Sequence, residues 1–246
     1  MRLIAVVLHF LALGLVCLGA DGTPALQDPW EVSYANLDAT GPHVLGCWKF
    51  DELPLADASG HGAQLLSNTA NLVPDGRFGG GLKCATATHA VALPRHSPQG
   101  PFSAEMWVKV DPNTPQTKTA CLLDKQGALM DDFCWNLLPA NERGLRQMVV
   151  RLGFGSFVKE FVSTPVYLPI NEWRHLAFTY DGAGRVAFFA DSQPSGEAFE
   201  ERCGSVHPGA QALCLGNSIA GAAAFPGVID EVRICSGVRE FEIGRA

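Results

Sequence analysis

Two apolar runs, Trp173–Tyr180 and Val186–Ala190, flank the segment Asp181-Gly182-Ala183-Gly184-Arg185. Glycine supplies backbone conformations that other residues resist, and an aspartate can bond its own backbone two residues on, so the segment reads as the turn of a β-hairpin. Leu176, Phe178 and Tyr180 alternate along the first run, as do Val186 and Phe188 along the second. The same period of two marks "FSAEMWVKV", with Phe102, Ala104, Met106, Val108 and Val110 on one side and Ser103, Glu105, Trp107 and Lys109 on the other. Further short runs, such as "ACLLDK", "FCWNLL", "LRQMVVRLGF", "KEFVSTPVYL" and "GVIDEVRIC", are separated by turn residues, and no long stretch has a helical period. The 26 glycines and 16 prolines are spread along the 246 residues, as turns require. This pattern predicts an all-β, antiparallel two-sheet sandwich or barrel.

The first twenty residues read as a secretory signal peptide. Arg2 precedes an apolar run from Leu3 to Leu18 interrupted at His9, and small residues follow it. Residues 21–42 carry three prolines and weak periodicity, and read as an N-terminal extension; residues 43–246 form one domain. No later segment is long and apolar enough to span a bilayer, so the mature chain is expected to be secreted, or periplasmic in a bacterium, without membrane insertion. The formal net charge is −7, with no cluster of lysine and arginine. Nucleic-acid affinity comes largely from phosphate neutralisation, so nucleic acid is a poor partner for this chain.

Eight cysteines are present, one of them in the leader. Export permits disulfides. Spacing places Cys121 with Cys134 and Cys203 with Cys214 across two hairpins, which would leave Cys47, Cys84 and Cys235 to compete for a third bridge. The competing reading is that all are small buried hydrophobes.

Several segments, taken together and in order, resemble the laminin G-like jelly-roll family of the concanavalin A-like lectin/glucanase superfamily. They are "GCWKFDE" (46–52), "DASGHG" (57–62), "GRFGGGLKC" (76–84), "FSAEMWVKV", "WRHLAFTYDG" with "VAFFAD", "LCLGN" (213–217) and "FPGVIDEVRI" (225–234). The resemblance implies a concanavalin A-like jelly roll of two antiparallel sheets. The family usually has Asp-Gly where this chain has Asp191-Ser192, which puts the geometry of that turn in question.

Superfolds host many activities, so function has to be argued from residues. The laminarinase-like members carry Glu-x-Asp-x-x-Glu on one strand; here no glutamate has an aspartate two residues later. No Gly-x-Ser-x-Gly and no His-Glu-x-x-His occurs, and "GRFGGGL" leads into a strand rather than a phosphate-cradling helix. No catalytic residue is assigned. Asp230 shares sequence parity with Val228, Val232 and Ile234; if that parity faces inward, its charge needs a partner. The resemblance implies one structural calcium there, with Asp51 or Asp57 as further ligands. The alternative is a carboxylate satisfied by backbone N–H groups. Glu105, Trp107 and Lys109 on one strand face, with Trp135, combine the aromatic and polar groups a sugar site needs, although such aromatics also serve as packing. The expected function is a secreted, non-catalytic module that binds a glycan or another extracellular ligand, such as a protein. The alternatives are a glycan-active hydrolase or lyase of the superfamily, and a purely structural adhesion or assembly domain.

Overall fold

The computed structural model describes residues 17–18, 24–25, 43–52, 56–60, 71–84, 90–92 and 97–241. The leader and extension expected over 1–42 lie outside them, except for β1 (Cys17–Leu18) and β2 (Pro24–Ala25), which pair with each other. The remaining strands are β3 (Val44–Trp48), β4 (Asn71–Val73), β5 (Gly81–Lys83), β6 (Ala90–Ala92), β7 (Phe102–Val110), β8 (Ala120–Asp124), β9 (Phe133–Leu137), β10 (Leu145–Arg146), β11 (Met148–Gly153), β12 (Val158–Val162), β13 (Val166–Tyr167), β14 (Trp173–Tyr180), β15 (Arg185–Ala190), β16 (Gln193–Phe199), β17 (Leu213–Leu215) and β18 (Gly227–Ser236). No helix occurs among the described residues.

Two sheets form the sandwich. One has six strands in the order β12-β11-β9-β8-β17-β6. The other has eight, in the order β16-β15-β14-β7-β18-β5-β4, with β3 also on β18. The ten-residue β18 is long enough to pair with β5 at Val228 and Ile229 and with β3 from Val232 to Cys235. All named strand pairs are antiparallel, as the jelly-roll expectation required. The alternation read from sequence sets the core. Phe102 and Phe178 point in from the eight-stranded sheet and meet Phe133 and Trp135 from the six-stranded one. The Phe102–Phe133 centroids lie 5.3 Å apart and the Trp135–Phe178 centroids 5.1 Å.

The structure departs from simple periodicity in three places. "LRQMVVRLGF" divides at Gln147 into β10 and β11, and "KEFVSTPVYL" divides between β12 and β13, where Pro165 has no N–H for a ladder. The "QPSGEAF" stretch, which has little strand character, nevertheless forms β16; it is an edge strand, where Pro194 and Gly196 are tolerated. A bulge between Asp230 and Arg233, with Glu231 at φ +49°, resets the parity of β18. Ile229, Val232 and Ile234 therefore join the core, while Asp230 and Arg233 both face outward, and Asp230 does not share a face with Val232 and Ile234.

The opening hairpin keeps its turn. Asp181 accepts from the N–H groups of Ala183 (2.7 Å) and Arg185 (2.9 Å). At its other end Asp191 and Ser192 adopt φ +49° and +62°, so the left-handed pair that glycine usually serves is made here without glycine. Asp191 anchors it by accepting from the His175 N–H (2.9 Å) and the Arg174 guanidinium (2.7 Å).

Candidate functional site

The register of the eight-stranded sheet sets five side chains in one row on its outer face. Asn71 on β4 faces Lys83 on β5, Lys83 faces Val228 on β18, Val228 faces Lys109 on β7, and Lys109 faces Trp173 on β14. Asp75, Asp111 and Asn171 rise beside the row and close an open recess of about 350 Å³. That volume lies in the range of small-ligand sites. Lys109 donates to the Asp75 carbonyl (3.2 Å) and holds its ammonium 4.9 Å from the centroid of the half-buried Trp173 ring. Lys83 donates to Asp111, which pulls that carboxyl below its ordinary range. Ammonium, carboxylate and amide groups thus line one opening, with the Trp173 indole next to Lys109.

The next rows along β7 are closed. Trp107 is 4% exposed, with Phe78 edge-on at 6.0 Å and the Arg77 guanidinium 4.7 Å from its centroid. Glu105 is 2% exposed and accepts from His175 Nε2 (3.0 Å) and the Arg239 guanidinium (2.7 Å), with Arg233 3.5 Å away. Burial would push this carboxyl up, but the His175 hydrogen bond and charge and the two guanidiniums outweigh it and hold the carboxyl at about 2. Of the four residues with sugar-site character in the sequence, then, Lys109 lines the recess. Trp107 and Glu105 lie beneath covering groups, and Trp135 is wholly buried against Phe178 between the sheets. Trp173, Lys83, Asn71, Asp75, Asp111 and Asn171 were not legible as site residues, because only strand pairing gathers them. Lys109 was the one signal.

Asp51, Asp57 and Asp230 each serve backbone N–H groups. Asp230 accepts from Arg77 (2.7 Å), Phe78 (3.0 Å) and Glu231 (2.7 Å), Asp57 from Cys47 and Ser59, and Asp51 from Gly80. Burial pushes the Asp230 carboxyl up to about 8 against the pull of those donors, and pushes Glu231 up to about 7. Asp230 and Asp51 hold the same 77–80 turn, and Asp57 bonds to Cys47 on β3. Among the described residues, the one group of three or more His, Cys, Asp or Glu side chains at metal-binding spacing is Cys121, Asp124 and Cys134.

The seven cysteines from Cys47 to Cys235 are buried free thiols. Cys121 and Cys134 do approach across the β8–β9 hairpin, with sulfurs 3.9 Å apart and no bond between them. The pairing of Cys203 with Cys214 is not made. The segment between them crosses from β16 in one sheet to β17 in the other instead of turning back as a hairpin, so Cys203 ends beside Glu200 and Arg202 and Cys214 beside Asp124.

A family model of the concanavalin A-like lectin/glucanases superfamily, laminin G-like, matches residues 85–242, more than half of the chain. The chain belongs to that superfamily. Solved structures agree on the fold. The binding domain of Paraclostridial Mosquitocidal Protein 1 aligns with TM-score 0.61 and 14% identity over 80% of this chain and 50% of its own. Domain 4 of AbnA, a GH43 extracellular arabinanase from Geobacillus stearothermophilus in complex with arabinotriose, aligns with TM-score 0.59 and 22% identity over 79% of this chain and 93% of its own. The binding domain of botulinum neurotoxin DC in complex with SialylT aligns with TM-score 0.58 and 10% identity over 81% and 49%. The chain thus spans about half the length of the toxin domains and nearly all of the arabinanase domain. Curated proteins furnish no match.

Proposed function

We propose that the chain is a secreted, non-catalytic binding module whose recess at Lys109 and Trp173 takes a short carbohydrate segment. The observation that carries this reading is the five-residue row on the outer sheet face, which opens into a recess with ammonium, carboxylate and amide groups for hydroxyls and sets the Trp173 indole next to Lys109. Superfamily membership supports it, as do similar folds solved with arabinotriose and with SialylT. The supply of polar groups, with both signs of charge balanced inside the recess, suits a neutral sugar better than a strongly charged one.

A glycan array with the purified chain, followed by titration calorimetry on the best hit, tests the proposal. Trp173→Ala and Lys109→Ala are each expected to weaken binding about tenfold or more, since removing a site's aromatic or polar anchor typically costs more than 1.4 kcal/mol. Binding unchanged in both variants moves the site elsewhere. A chain that binds no glycan but captures a protein supports the adhesion reading, and reducing-sugar release from polysaccharides supports the hydrolase.

A further inference from the structure

We propose that Cys121, Asp124 and Cys134 form a site for a thiophilic divalent cation of the zinc class, on the outer face of the six-stranded sheet and apart from the recess. One ligand atom from each of the three lies within 4.8 Å of the others. The two sulfurs are 3.9 Å apart. Tetrahedral zinc with Zn–S of about 2.3 Å sets its sulfurs about 3.8 Å from each other. A disulfide would bring them to about 2.05 Å. The hairpin therefore holds the thiols at the spacing of chelation.

The backbone explains why they converge. A bulge in β8 between Cys121 and Leu123 sends both Leu122 and Leu123 into the core, so Cys121 and Asp124 emerge on the same outer face. Cys134 lies opposite Asp124 on β9, and Cys214 lies opposite it on β17. Cys214, Asp124 and Cys134 thus form one row across three strands, with Cys121 beside it, while the Cys214 thiol turns to the Ser218 carbonyl (3.7 Å).

Asp124 is held in place for the role. Its Oδ1 accepts from the N–H groups of Gln126 (3.1 Å) and Gly127 (2.7 Å), and its Oδ2 from that of Ile219 (2.9 Å). A carboxylate offers about four acceptor directions, so one remains on Oδ2. Donors that fix a ligand's orientation are the usual support of a metal site. Asp124 is 4% exposed and Cys134 6%, beneath the 217–224 loop that bonds to this cluster through Ile219 and through the Cys121 N–H to the Ala223 carbonyl (2.7 Å). A cation would enter past that loop, whose residues from Ala220 to Ala224 are small and partly exposed.

Cobalt(II) titration of the full chain, kept reduced with a phosphine, tests the site. The expected result is one equivalent bound, with the visible bands of tetrahedral cobalt and near-ultraviolet thiolate-to-metal absorption, both removed by added zinc. Cys121→Ser and Cys134→Ser are each expected to weaken binding about 100-fold, and Cys203→Ser to leave it unchanged. The wild-type spectrum itself reports thiolate ligation, so the answer does not depend on every variant folding. No thiolate absorption in the wild-type chain overturns the proposal, as does equal binding by the two serine variants. A Cys121–Cys134 disulfide in chain isolated without reductant overturns it as well.

Discussion

Two residues of this fold hold conformations or charges that cost stability. Ser192 sits at φ +62° in the β15–β16 turn, where a side chain crowds the backbone. Ser192→Gly is expected to raise unfolding free energy by about 0.5–1 kcal/mol, the relief of strain less the entropy glycine gains when unfolded; urea denaturation reads it. Glu231 also has a left-handed backbone, is 2% exposed, and is held by burial at a pKa of about 7 instead of its ordinary 4.5. Its proton is retained in the folded chain through a range where the unfolded chain has lost it. Stability is therefore greatest on this account below about pH 4.5 and falls as pH rises to 7, by on the order of 3 kcal/mol. Glu231→Gln is expected to reduce that slope in denaturation measured from pH 5 to 8, leaving the part carried by Asp230, whose carboxyl is raised to about 8. Glu105 acts in the opposite sense. Its carboxyl is held at about 2, so its contribution is complete above the ordinary 4.5 and is lost as pH falls towards 2. The two tilt the pH dependence in opposite directions, and Asp230, raised to about 8, tilts it the same way as Glu231.

At the scale of elements, the β7–β18 pair joins the core to the recess. Gly227 opens β18 against Val110, and a Cβ there would stand 2.0 Å from the Lys109 carbonyl oxygen. Backbone cannot yield as a side-chain tip can, so Gly227→Ala is expected to cost about 3 kcal/mol or more and to disturb Lys109, read by calorimetric melting and by ligand affinity together. The β8–β9 hairpin is tied to the 207–211 segment by the fully buried Lys125, which donates to Asp132 (2.9 Å) and the Gln211 carbonyl (2.9 Å). Removing one partner leaves a buried charge, so Asp132→Ala is expected to destabilise by about 3–5 kcal/mol in the same measurement. These elements also show how far pattern reading reaches. The strands of the β14–β15 hairpin and β7 were legible because their apolar residues alternate. β16 was not, because an edge strand needs little apolar character, and the β18 bulge was not, because an inserted residue leaves no mark in an alternation already interrupted by acids.

Across the whole molecule, the two outer faces differ in kind. The outer face of the eight-stranded sheet carries a buried ion network that gives way, at the Lys109 end, to an open recess. The six-stranded sheet carries the thiol cluster. Calcium and a chelator of calcium test the ion that the family resemblance implies at Asp230, Asp51 and Asp57: a midpoint that rises with calcium and falls with chelator places an ion there, and a midpoint moved by neither leaves the backbone N–H donors as the partners of those groups.

The sequence by itself determined the all-β class, the antiparallel sandwich, its superfamily and most of its core, because period-two burial and turn chemistry act between neighbours along the chain. Only the tertiary structure decided which side chains stand together. Asn71, Lys83, Lys109 and Trp173 share a row, Asp230 turns outward, and Cys203 and Cys214 part to different sheets, because strand order and bulges bring together or separate residues in ways that linear spacing does not encode.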